Sequence, residues 1–246
     1  MAVIKTTEGD ISIRLFNSTP VHRDNFVRLA DGHYYDSLLI HRVVRDFMIQ
    51  TGDPESRHAV RFQTLGDGGP DYFLKPEINT ADHFHRYGAV CAARRVDQVN
   101  PELLSSGSQF YIVTGKTYRS YQLHDIEDKL NEGRRQKLFN RFWAQYADSV
   151  MAMDMRNDSD GKLQLRKVLA ARADSVIAAE GPISFSAEQM SAYMNVGGTP
   201  ELDGDYTVFG QVTEGMKIVE KIQRVMTDAN DRPLKDIRII SIRTVE

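Results

Sequence analysis

The sequence predicts a mainly β fold with accompanying helices: a closed antiparallel barrel capped by helices, plus an inserted helical segment. Three observations carry this expectation. Short apolar runs punctuated by Gly, Pro and Asp recur through the first 117 residues. Between about Tyr118 and Asn195 the apolar period changes from two to about 3.6 and the glycine punctuation thins. Strand character then resumes at Tyr206 and closes the chain. The implied division is a barrel domain of residues 1–117 and 196–246, with a helical insertion of residues 118–195.

Each element has a local reason. Residues Val3–Phe16 alternate as a hairpin, with Ile11, Ile13 and Leu15 on one face, Ser12 and Arg14 on the other, and Glu8-Gly9-Asp10 as the turn. Thr19-Pro20 supplies an N-cap and a first-turn proline for a helix whose buried stripe is Val21, Phe26, Leu29 and Ala30 and which Gly32 ends. Strands follow at Leu38–Val44, Phe47–Gln50, Gly88–Ala93 and Ser108–Thr114. In the insertion, Leu138, Phe142, Trp143, Tyr146, Val150 and Met153 lie at helix spacing, as do Leu165, Val168, Leu169 and Val176 after the polar turn Asn157–Gly161. Gly181-Pro182 stops the second helix, and Ser186 with Gln189 forms a capping box for a third. A strand at Tyr206–Gly210, a helix at Met216–Arg224 and a strand at Asp236–Val245 complete the chain, the last expected to pair with the first.

Composition excludes several classes. A chain of 246 residues with 31 basic and 34 acidic side chains carries a formal charge of −3, without the basic excess of a nucleic-acid binder. The single cysteine, Cys91, rules out an intramolecular disulfide and is expected to pack as a small buried apolar group. The N-terminus alternates polar and apolar residues rather than forming a signal peptide, and no run approaches the roughly 20 apolar residues of a spanning helix. The expected compartment is the cytoplasm, or an extracytoplasmic one where Met1 follows a removed leader.

No metal or cofactor is expected. The seven histidines contain no HExxH, and Ser108 in SSGSQF lacks the glycine pattern of a hydrolase elbow. RNDSDGKLQLRK, residues 156–167, has Asp158, Asp160 and Gly161 in calcium-loop spacing, but Arg156 and Lys167 occupy the end positions where acids belong. What stands out is an arginine in an apolar strand, LLIHRVVRDFMIQTGDP, residues 38–54. A period of two places Ile40, Arg42 and Val44 on one face and Leu39, His41 and Val43 on the other, with Met48 beside Gln50 and Gln109 beside Tyr111 on theirs. His41 is expected to be a hydrogen-bonded core histidine, and the Met and aromatic stripe of the insertion a helix-packing seam.

The segments HRVVRDFMIQTGDP, SSGSQFYIVTG and TPELDGDYTVFGQV resemble, in order, the arginine-bearing, GSQFF and LDG-VFG segments of the cyclophilin family of peptidyl-prolyl cis/trans isomerases. DNFVRLADGHYYD and GAVCAARR fit as well, so the resemblance spans about residues 2–117 and 196–246 and leaves the helical insertion uncovered. It implies that Arg42 is catalytic, that Phe47, Met48, Tyr111 and Leu202 line a proline pocket, and that Gln50, Ala93, Arg94 and Gln109 contact the substrate backbone, with Tyr206 also at the site. Arg94, Tyr111, Glu201 and Tyr206 stand where many members have Asn, Phe, Trp and His, and Glu201 removes an aromatic wall that cyclosporin-binding members supply. The implied partners are proline-containing peptides and unfolded proteins, with a protein partner for residues 118–195. Two functions fit these residues: an isomerase of X-Pro bonds that assists folding, or a non-catalytic proline-binding or chaperone module that holds clients with its helices. Arg42 with Gln50 argues for the first, and the insertion keeps the second open.

Overall fold

The computed structural model describes residues 1–245. The chain forms two compact units, Met1–Tyr118 with Ala187–Glu246, and Arg119–Ser186. The expected insertion ran to Asn195. The third of its helices, α5 (Ala187–Asn195), belongs instead to the first unit, because its Tyr193 is fully buried there.

The first unit begins with a hairpin of β1 (Ala2–Thr6) and β2 (Gly9–Leu15), in which Thr6 faces Gly9 and Thr7-Glu8 makes the turn. That turn lies one residue earlier than the expected Glu8-Gly9-Asp10. Gly9 is needed for a different reason: at φ +136°, a Cβ would sit 2.7 Å from Ile218 Cδ1. Helix α1 (Pro20–Asp31) starts with proline and stops at Gly32 as expected. Its first amides are capped from far along the chain, since the Glu77 carboxylate accepts from Val21 N (3.1 Å) and His22 N (2.9 Å). Its buried face is His22, Phe26, Leu29 and Ala30, whereas Val21, expected in the stripe, is exposed one position around the helix.

The remaining strands are β3 (Arg42–Val44), β4 (Met48–Thr51), β5 (Phe73–Leu74), β6 (Ala89–Arg94), β7 (Ser105–Val113), β8 (Val208–Glu214) and β9 (Ile239–Thr244). They form one curled antiparallel sheet in the order β3-β4-β7-β6-β8-β2-β1-β9, with β5 against β7. The first and last strands of the chain do pair. The ladder leaves β3 and β9 as end strands. The expected strands from Leu38 and from Asp236 are shorter than the pattern suggested. The segments next to them meet through Ser37 N to Ile239 O (2.8 Å), Ile239 N to Leu38 O (2.8 Å) and Ile40 N to Ile237 O (2.9 Å).

Alternation sorts the sheet into two clusters. Ile11, Ile13, Ile49, Phe110, Ile112 and Phe209 form the main core with Phe26 and Tyr35, and the Phe26 and Phe110 rings meet edge to face at 5.3 Å. Met48, Ala89, Cys91, Tyr111, Val113 and Val208 form a second cluster on the opposite face. The parity read from the sequence fails at one point: Ile40 lies in the first cluster and Val44 beside the second. Regular strand geometry starts only at Arg42, so the alternation does not extend back to Ile40. Helix α6 (Met216–Ile222) packs Val219 and Ile222 into the main core.

The second unit contains α2 (Ser120–Ala144), α3 (Ala147–Met155) and α4 (Ser159–Glu180). The spacing from Leu138 to Met153 predicted one continuous stripe, but the helix breaks at Gln145-Tyr146. Phe142, Leu169 and Ala173 are its buried cluster, flanked by Leu138, Phe139, Trp143, Leu165 and Val176, while Val168 is exposed. Asp158, the residue in calcium-loop spacing, caps α4 by accepting from Gly161 N at 2.8 Å. Among the described residues, no helix is long and apolar enough to cross a membrane.

Candidate active site

Strands β3, β4, β7 and β6 set neighbouring residues side by side by register alone. Arg42 stands opposite Gln50, Gln50 opposite Tyr111, and Tyr111 opposite Cys91. One line across the sheet therefore carries a cation, an amide and an aromatic ring. Met48, next but one to Gln50 on its strand, is buried in the cluster with Tyr111, and Phe47, Leu202 and Tyr206 pack against it partly exposed. Leu202 is delivered by a single 3-10 turn, Pro200–Leu202. The result is an apolar cluster, partly exposed at Phe47, Leu202 and Tyr206, on the sheet face that also carries Gln50.

The donors are held in place. Gln50 Nε2 donates to Gln109 Oε1 (2.9 Å), and Gln109 Nε2 donates to Gly66 O (2.9 Å) and Gly68 O (2.6 Å). This fixes both amides. Arg42 is 42% exposed and donates through Nε to Asp231 Oδ2 at 3.3 Å. Its terminal nitrogens make no hydrogen bond among the described residues, so two coplanar NH2 groups remain for a ligand. Arg94 is different: its side chain is 3% exposed, donates to Asp205 O (2.7 Å) and Asp97 Oδ1 (2.6 Å), and lies 4.5 Å from the Tyr206 ring centroid. The guanidinium braces Tyr206, and Ala93 beside it is buried.

Tyr111 is buried, and its ring meets Tyr206 at 84° with centroids 5.9 Å apart. Its hydroxyl reaches His85 Nε2 at 3.0 Å, and His85 Nδ1 reaches Asp203 Oδ1 at 2.7 Å. Burial pushes the ionisation of both Tyr111 and Cys91 up, so the two stay neutral in this face of the sheet. The histidine and aspartate went unnoticed in the sequence because they lie 118 residues apart and fit no catalytic spacing. The one available signal was Tyr111 itself, since a buried phenol calls for a hydrogen-bond partner.

His41 is buried as expected, and its backbone N–H donates to Gln50 O at 3.1 Å. Among the described residues its ring nitrogens do not make the expected hydrogen bond. Burial, opposed by the nearby Asp53 carboxylate, lowers its pKa from 6.5 to about 4, so it is neutral beside Arg42.

The model of the family described as cyclophilin type peptidyl-prolyl cis-trans isomerase matches residues 1–133 and 136–244, running into the helical unit as well as the sheet. Curated relatives named "Putative peptidyl-prolyl cis-trans isomerase" include one from Staphylococcus aureus, 29% identical over 99% of this chain and 91% of its own length. One from Staphylococcus saprophyticus is 28% identical over the same shares. In fold, the chain is similar to a cyclophilin type isomerase of Cryptosporidium parvum, with a TM-score of 0.57, 18% identity, and coverage of 98% of this chain and 94% of that one. A second structure of that protein, obtained in the presence of the dipeptide Ala-Pro, aligns with a TM-score of 0.58 at 18% identity, covering 100% of this chain and 98% of that one. The chain belongs to the cyclophilin-type peptidyl-prolyl cis-trans isomerases, enzymes that rotate X-Pro peptide bonds.

Proposed function

We propose that this isomerase works through Arg42, with the proline ring seated on Phe47, Met48, Tyr111 and Leu202 beside Tyr206, and the substrate backbone met by Gln50, Gln109, Ala93 and Arg94. The register that sets Arg42 against Gln50 and Gln50 against Tyr111 carries the reading. The Ala-Pro neighbour supports proline-containing peptides as the ligand class. Because the Arg94 side chain is committed to Asp205, Asp97 and Tyr206, the Ala93-Arg94 segment would offer a peptide its backbone. We also read the hydrogen bonds between Ser37–Ile40 and Ile237–Ile239 as the seam that closes the curled sheet into a barrel.

The chemistry asks little of a side chain except a fixed charge. A prolyl bond is planar through resonance, with a barrier of about 18–20 kcal/mol. Twisting it ends the resonance and returns a lone pair to the nitrogen, which becomes pyramidal. The Arg42 guanidinium stays charged at any relevant pH and can donate to that nitrogen or hold the neighbouring carbonyl. Gripping the ring in an apolar hollow leaves rotation of the preceding carbonyl as the remaining motion. Bringing the step to milliseconds takes about 10⁴ to 10⁵ fold, roughly 6 to 7 kcal/mol, within reach of one positioned cation plus orientation. No proton transfer is needed, and the neutral His41 behind Arg42 has no role in the step.

The test is Arg42→Lys, which keeps the charge and loses the planar fork. Exchange of an X-Pro peptide, followed by NMR, is expected to slow about 30 to 1000 fold, the loss of a charge-assisted contact made chiefly in the transition state. Peptide affinity should change only a few fold. Near-native exchange in a folded Arg42→Lys protein would overturn the assignment. A purely proline-binding module has no turnover to lose, and the family match does not favour it.

A further inference from the structure

The buried chain of hydrogen bonds behind Tyr111 has a job that the apolar pocket alone does not explain. We propose that His85 and Asp203 are positioning residues that lock the Tyr111 ring as the floor of the proline pocket, with Tyr193 of α5 as the anchor. The inference rests on the assignment of Tyr111 to that pocket.

Three groups converge on Asp203: His85 N at 2.9 Å and His85 Nδ1 at 2.7 Å on Oδ1, and Tyr193 Oη at 2.5 Å on Oδ2. In the tautomer that carries its proton on Nδ1, His85 accepts at Nε2 from the Tyr111 O–H across 3.0 Å. All four side chains are buried, with His85 at 1%, Asp203 at 5%, Tyr111 at 4% and Tyr193 at 0% exposure. The imidazole and phenol planes are nearly parallel, 14° apart with centroids 6.2 Å from each other. The phenol is thus tied at its far end while its ring edge meets Tyr206. Two consequences follow. The hydroxyl points away from the pocket, so a tyrosine presents the same apolar floor as a phenylalanine would. The ring also cannot swing into the pocket without breaking a buried hydrogen bond and stranding a polar group. The backbone is arranged for this contact as well. A Cβ at Gly198 would fall 2.3 Å from His85 O and 2.6 Å from Tyr193 Cε1, so the glycine lets α5 come this close.

A lock of this kind acts on ring binding in ground and transition states alike, so its loss should raise KM and leave kcat nearly unchanged. The experiment is a double-mutant cycle on the full-length protein, with peptide turnover measured for His85→Leu and for Asp203→Asn, each in the native and the Tyr111→Phe background. His85→Leu is expected to raise KM about 5 to 10 fold in the native background and less than about 2 fold with Tyr111→Phe, which has no hydroxyl to tie. Asp203→Asn, which keeps the shape and an acceptor for His85, should show the same dependence on background at about 2 to 3 fold, and it serves where His85→Leu does not fold. Equal losses in both backgrounds, or a fall in kcat at constant KM, would overturn the inference. Tyr111→Ala separates the two readings. If it leaves peptide binding intact, the pocket assignment itself fails; if it abolishes binding while the cycles show no coupling, only the positioning role fails.

Discussion

The sheet unit and the helical unit of this chain solve the problem of polar side chains in opposite ways. In the sheet unit, polar groups are buried and tied: His85, Asp203, Tyr111 and Gln109 are each nearly inaccessible and hydrogen-bonded. In the helical unit, ion pairs such as Arg135–Asp174 and Lys162–Asp154 lie at the surface, and Phe142, Leu169 and Ala173 form an apolar buried cluster. That unit contains an open hollow of about 610 Å³ lined by Trp143, Val150, Met151, Met155 and one carboxylate, Asp154. Placing a cation, an amide and a ring within one ladder takes a rigid scaffold, which the paired strands of the sheet unit provide.

The sharpest way to break this contrast is to empty one side chain in each unit. Phe110 touches Phe26, Tyr35 and Phe209, so Phe110→Ala should cost about 3 to 5 kcal/mol of global stability in denaturant melts. Phe142 is covered on one side by the Arg172 guanidinium, 4.1 Å from its ring centroid, a flexible neighbour that can refill the space. Phe142→Ala should cost about half as much, with loss of hydrogen-exchange protection confined to α2 and α4. Equal costs and a shared loss of protection would show that the two units are energetically one.

Acid sharpens the comparison. His41 is neutral in the fold because burial lowers its pKa to about 4, while the unfolded chain takes up that proton near 6.5. The unfolded state therefore binds more protons between those values. The stability is present above about pH 6.5 and is lost as pH falls toward 4, on the order of 3 kcal/mol in total. Acid melts of His41→Leu should lack most of this slope; an unchanged slope would assign it to other groups.

The smallest effect lies at the rim. Glu201 accepts from the Tyr118 hydroxyl at 3.0 and 3.2 Å, which holds a carboxylate beside the 3-10 turn that carries Leu202. Cyclosporin should bind weakly, and Glu201→Trp should tighten it about tenfold by calorimetry, roughly 1.4 kcal/mol. Nanomolar binding by the unaltered protein would count against this reading.

The strand-borne part of the site was legible in the sequence because a period of two converts order into facing. Met48 with Gln50, and Gln109 with Tyr111, needed only alternation to be placed on shared faces. What could not be read were contacts made between distant segments. Glu77 capping α1 and His85 meeting Asp203 both join residues that no local pattern connects. The boundary of the insertion failed for the same reason. The periodicity of α5 is helical like that of α4, and only the burial of Tyr193 against Asp203 assigns it to the sheet unit. Val21 and Val168 were misplaced because an apolar residue at the edge of a stripe is compatible with either face.

The central claim is that the sheet unit, including α5, holds everything turnover requires. It is tested most directly by replacing Arg119–Ser186 with a short Gly/Ser loop and measuring isomerisation of an X-Pro peptide. The account predicts a folded protein with a rate within about twofold of the intact chain, whereas extending the replacement through Asn195 removes Tyr193 and should impair the site. Loss of most peptide turnover in the folded shorter variant would contradict it.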